Sequence, residues 1–75
     1  MNNIKLLRVK AGLSQKELAL SSGFGNKQSR VSNYEIGIRS PTIEEGYQIV
    51  KALNTHDVVC SFDEVFPPML ELEVS

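Results

Sequence analysis

The sequence predicts an all-α domain of five short helices, and three observations predict it. A serine or threonine stands three residues ahead of a glutamate at Ser14–Glu17, Thr42–Glu45 and Ser61–Glu64. Each pair is a capping box, in which hydroxyl and carboxylate satisfy orphan N–H groups at a helix start. Gly12, Gly23 and Gly37 stand just past apolar residues spaced by three and four, where helices commonly stop. Seventy-five residues, 41% apolar and 23% charged, make one ordinary small globule with a modest core.

In chain order, Asn3 is expected to cap a first helix over Ile4–Ala11. Ile4, Leu7 and Ala11 face inward, and Leu6 and Val9 are additional apolar positions for the surface. Ser14 opens a second helix whose buried side is Leu18 and Ala19, and Gly23 ends it. Asn26 is expected to cap a third helix from Lys27 to Ile36, closed by Gly37. Thr42 starts a fourth that runs to Leu53 and buries Ile43, Tyr47, Val50 and Leu53. Gly46 within it lowers helix propensity by up to roughly 1 kcal/mol and permits close packing. Ser61 starts a short fifth helix through Phe66, which Pro67 and Pro68 must stop. From Met69 to Val74 apolar and acidic residues alternate, the pattern of a strand or of a frayed end.

The third helix carries the chemistry. At about 100° per residue, Val31 and Tyr34 face the core, while Ser29, Ser32 and Asn33 lie opposite with Gln28 and Arg30 flanking them. This outward face holds amides, hydroxyls and a guanidinium but no carboxylate, whereas an ordinary solvated face mixes Glu with Lys. Those are the groups that read base edges: Gln or Asn bidentate to adenine, Arg to guanine, Ser to several bases. The positive end of the helix dipole suits a neighbouring phosphate as well.

Charge divides the same way. Residues 1–39 hold seven bases and two acids, a balance of +5, and residues 40–75 hold one base and seven acids, a balance of −6. The net −1 therefore conceals a molecule with a basic side for phosphate and an acidic side facing away.

The run Leu13–Ala19 (LSQKELA), then Gly23, then Ser29–Pro41 (SRVSNYEIGIRSP) resembles the helix-turn-helix of the lambda-type phage repressor and Cro family, the Xre-like regulators. The resemblance spans roughly Ile4–Leu53. It implies a five-helix, lambda-repressor-like DNA-binding domain over residues 1–66 with residues 67–75 as a tail. Carried over position by position, it makes Gln15 the helix-opening glutamine that contacts a phosphate and braces the first recognition residue. It makes Gln28, Ser29 and Asn33 base readers, with Ser32 and Arg30 beside them, and places Lys16, Lys27 and Arg39 near phosphates. Arg8 and Glu35 fall on a pair that resembles the family's buried salt bridge. Phe62, Val65 and Phe66 fall on a helix that often forms the dimer contact, and Leu70 and Leu72 of the tail extend that surface. One departure stands out: Gly23 and Val31 are two residues further apart than in the usual pattern. Either the turn is longer or the recognition helix starts earlier.

No uninterrupted apolar run approaches the length of a membrane span, and no signal peptide is apparent. The single Cys60 and single His56 make a protein-only zinc site improbable, and no cofactor is expected. No nucleophile–base pair or phosphate-cradling loop argues for catalysis, so the expectation is a protein that is not an enzyme. The resemblance implies a repressor that binds double-stranded DNA as a homodimer on a near-palindromic operator. It also implies a cytoplasmic, nucleoid-associated bacterial protein of phage or prophage origin. Alternatives are activation through contact with RNA polymerase, an antitoxin that binds a toxin protein and represses its own operon, and a restriction–modification controller.

Overall fold

The computed structural model describes residues 2–68, and these form five α-helices and no strand. The helices are α1 (Ile4–Lys10), α2 (Gln15–Ser21), α3 (Gln28–Ile36), α4 (Ile43–Thr55) and α5 (Phe62–Val65). The tail strand, and with it Leu70 and Leu72, lies outside the described residues. All three capping boxes form, with hydroxyl and carboxylate each accepting a backbone N–H at Ser14/Glu17, Thr42/Glu45 and Ser61/Glu64.

Two helix starts differ from expectation. At α1 the Ile4 N–H is taken by the Asn2 side-chain oxygen at 3.0 Å, so Asn2 rather than Asn3 supplies the cap. Asn3 instead ties the start of α1 to α5: its N–H donates to the Val65 carbonyl and its amide to the Glu64 carbonyl, both at 2.8 Å. At α3 the Asn26 side chain caps nothing; the helix begins one residue later, at Gln28, with Lys27 as the boundary residue. The two extra residues are absorbed by the turn. Gly23 takes φ +86°, a left-handed conformation that an L side chain adopts at a cost. It closes α2 with the paired bonds Gly23 N–H to Leu20 and Phe24 N–H to Ala19. Phe24 then folds back into the core, and Gly25, also left-handed, sends the chain into α3.

The core gathers Ile4, Leu13, Leu18, Ala19, Phe24, Val31, Tyr34, Ile49, Ala52, Leu53, Val58 and Val65. Leu7 and Ala11 are only half-buried against it, and Leu6 and Val9 stand in solvent. α4 corrects the expected face in part: Leu53 is buried as expected and Val50 is half-buried against the core. Ile43 and Tyr47 are 72% and 57% exposed, and the side turned inward is Gly46, Ile49, Ala52 and Leu53. Both stripes follow the helical period, and α5 decides between them. The rings of Phe62 and Phe66 lie over Gly46, where an added Cβ would stand 2.8 Å from Phe62 Cε2 and 3.2 Å from Phe66 Cε2. A glycine is the residue that lets the two helices approach this closely. Gly46→Val is therefore expected to destabilise the fold by about 1–3 kcal/mol through overpacking, against a helix-propensity gain of well under 1 kcal/mol. Urea denaturation measures it, and a variant as stable as the parent would refute the packing argument.

Beyond α4 the chain turns at Asp57, a non-glycine residue at φ +70°. Asn54 clamps the loop by donating to the Val50 and Cys60 carbonyls and accepting from Cys60 N–H. That clamp aims Val58 into the core and brings Ser61 to the start of α5. Among the described residues no helix is long and apolar enough to cross a membrane, and no group of His, Cys, Asp or Glu is placed to hold a metal ion.

Candidate nucleic-acid interface

α3 packs on α2 and α1 through Val31 and Tyr34, so its opposite side is turned outward. Its C-terminal turn is braced by the Asn2 amide, which donates to the Tyr34 carbonyl at 2.8 Å, a contact with no signal in the sequence. Its N-terminal end is braced by a chain of polar side chains that begins in the interior.

Arg8 Nε donates to Glu35 Oε2 at 2.6 Å, and Arg8 Nη1 donates to the Leu13 carbonyl at 2.8 Å. The side chains are 12% and 3% exposed, so the pair links α1 to the last turn of α3 almost out of reach of water. The other carboxylate oxygen, Glu35 Oε1, accepts from Gln15 Nε2 at 2.9 Å. A carboxylate can only accept, so Gln15 must present its NH₂ inward and its oxygen outward. That oxygen in turn accepts from Gln28 Nε2 at 3.2 Å. Gln28, exposed at the first position of α3, is left with a second N–H and a carbonyl oxygen free. A donor and an acceptor side by side match the N6 and N7 edge of adenine. The buried ion pair thus sets the polarity of an amide on the surface.

The residues singled out by sequence fall on both sides of this point. Gln28 and Ser32 border an open cleft with Gln15 and Lys27. Ser29 and Asn33 border a second groove, of about 430 Å³, between α3 and the segment leading into α4. Arg39 and Lys27 line that second groove, and both are exposed. Lys16 is exposed on α2.

Arg30, expected among the base readers, is drawn sideways into an ion pair. Its Nη1 donates to Glu45 Oε2 at 2.7 Å, and its guanidinium carbon lies 5.2 Å from the centre of the Phe24 ring. Glu45 also accepts from the Tyr34 hydroxyl at 2.9 Å and from Thr42 N–H at 3.0 Å. The Thr42 amide and then the Tyr34 hydroxyl hold its carboxyl below the usual carboxylate range. Burial first, and the adjoining carboxylate second, push the Tyr34 phenol up. Thr42 and Glu45 are legible locally as a cap, but the bridge to Arg30 and Tyr34 depends on where α4 lies beside α3.

Of the candidate dimer residues, Val65 is fully buried beneath α5 and cannot touch a second molecule. Phe62 and Phe66 are half-buried, with ring centres 4.9 Å apart, and Tyr47 stacks on Phe62 at 4.7 Å. With Ile43 they form an apolar surface on the α4–α5 side.

Residues 4–58 match the Helix-turn-helix family, which takes in α1 to α4 and the turn at Val58. No curated protein and no solved structure matches the chain. With the match covering most of its length, and with α2, the glycine turn and α3 in the arrangement described, the chain belongs to the Cro/C1-type, Xre-like helix-turn-helix family of DNA-binding regulators.

Proposed function

We propose that this protein is a sequence-specific transcriptional repressor that binds a near-palindromic operator as a homodimer. The observation that carries the reading is the chain Arg8–Glu35–Gln15–Gln28, which runs from the interior to the exposed start of α3 and fixes one amide in a defined orientation. A recognition helix reads bases with its N-terminal residues, and an exposed amide oriented in advance at that end suits such a use. Gln28, Ser29, Ser32 and Asn33 then read bases. Lys16, Lys27 and Arg39 meet the sugar–phosphate rails, and Gln15 at the start of α2, its side-chain oxygen outward, braces Gln28. The Ile43, Tyr47, Phe62 and Phe66 surface supports self-association, which puts two α3 helices in successive major grooves about 34 Å apart. Occupying the operator excludes polymerase.

Selection of duplexes from a random pool tests this directly. A recovered consensus with two inverted half-sites about one helical turn apart is expected, and enrichment of no sequence would overturn it. Arg39→Ala is expected to weaken binding to every duplex alike. It should also flatten the plot of log affinity against log salt by about 0.9, the loss of one phosphate contact. Titrations between 50 and 200 mM salt check both.

A further inference from the structure

α3 carries no carboxylate on its outer face, yet α4 delivers one. Glu45 lines the groove shared by Lys27, Asn33 and Arg39. Three donors fix it, two from α3 and one from the start of α4: Arg30 Nη1, the Tyr34 hydroxyl and Thr42 N–H. Arg30 is pinned from two sides, by that carboxylate and by the Phe24 ring, although its side chain is still 36% exposed. A free guanidinium at this place has phosphate as its natural ligand, and arginine–phosphate contacts add affinity for any sequence through counterion release. What a regulator needs is the ratio of specific to non-specific binding, because competing sites are vastly more numerous.

We propose that Glu45 is a specificity-determining residue: by holding Arg30 against Phe24 it withholds one sequence-independent phosphate contact and keeps non-specific binding weak. This rests on the DNA-binding reading above. Glutamine at position 45 retains an oxygen for the Thr42 cap, as capping boxes tolerate, but no charge to hold the guanidinium.

The test is the affinity of the purified protein for a labelled duplex of arbitrary sequence, followed by anisotropy from 50 to 200 mM salt. Glu45→Gln is expected to steepen the slope of log affinity on log salt by about 0.9, so that its advantage over the parent is about 3.5-fold larger at 50 mM salt than at 200 mM. Glu44→Gln makes the same charge change at the neighbouring exposed position and is expected to leave the slope alone. Adding Arg30→Gln to Glu45→Gln is expected to restore the parental slope. An unmoved slope in Glu45→Gln, or an equal rise in Glu44→Gln, overturns the proposal. If Glu45→Gln does not fold, Arg30→Gln alone decides. An unchanged slope supports a withheld contact, and one shallower by about 0.9 shows that Arg30 already touches phosphate and overturns it. A parent protein that binds no duplex at 50 mM salt overturns the DNA-binding reading as well, an outcome distinct from intact binding with an unmoved slope.

Discussion

Replacing Glu35 by alanine is expected to lower the unfolding free energy by about 3–5 kcal/mol, the usual cost of removing one partner from a buried ion pair. The side chain is 3% exposed and serves both Arg8 and Gln15, so its loss strands a guanidinium and an amide together. Arg8 keeps the Leu13 carbonyl, a neutral acceptor that leaves its charge unbalanced. A domain of this size has roughly 5–15 kcal/mol in all, and most at the low end, so a large part of the population unfolds. Urea denaturation of Glu35→Ala beside Lys5→Ala, an exposed base on the same first helix, measures the difference. The lysine variant is expected within about 0.5 kcal/mol of the parent. Equal midpoints for the two would show that the pair contributes little to the fold.

That link was legible in the sequence because a resemblance supplied both partners, 27 residues apart. The capping boxes were legible for a simpler reason. Their two groups lie three residues apart, so no tertiary information is needed, and all three formed. Asn3 and Asn26 were misplaced as caps because a lone asparagine has no reciprocal partner to fix its register. Asn2 took one of those roles, and the longer turn from Gly23 to Lys27 removed the other.

The inward face of α4 was legible only at Leu53, which is buried, and at the half-buried Val50. Ile43 and Tyr47 obey the helical period with those two as well as Ile49 and Ala52 do, and periodicity cannot rank two adjacent apolar stripes. The choice is made by rings on α5 that seat over Gly46, a contact between segments separated by a loop. For the same kind of reason the ion pair of Arg30 was not legible. Its helix position turns it toward the outer face, but Glu45 comes within 2.7 Å only once α4 has docked. Reciprocal local pairs fix where helices start; which polar groups remain free for a ligand is settled by their neighbours in space.

In the proposed function base recognition turns on Gln28 and Asn33, and the double variant Gln28→Ala, Asn33→Ala probes it. Each bidentate base contact contributes about 1–3 kcal/mol of discrimination, and separated positions add, so the pair is expected to erase about 2–6 kcal/mol of preference for the operator over a scrambled duplex. The fold is expected to survive. Gln28 is exposed, and its removal leaves the Gln15 oxygen to water while the Gln15–Glu35 bond persists. Competition binding at fixed salt measures the lost preference, and urea denaturation checks that the midpoint moves little. The salt slope is expected to stay at the parental value, because amides reading bases release no counterions. That pattern, discrimination lost with slope and stability kept, is the inverse of the Arg39→Ala pattern. A double variant that still prefers the operator by the full margin would place base recognition elsewhere on the molecule.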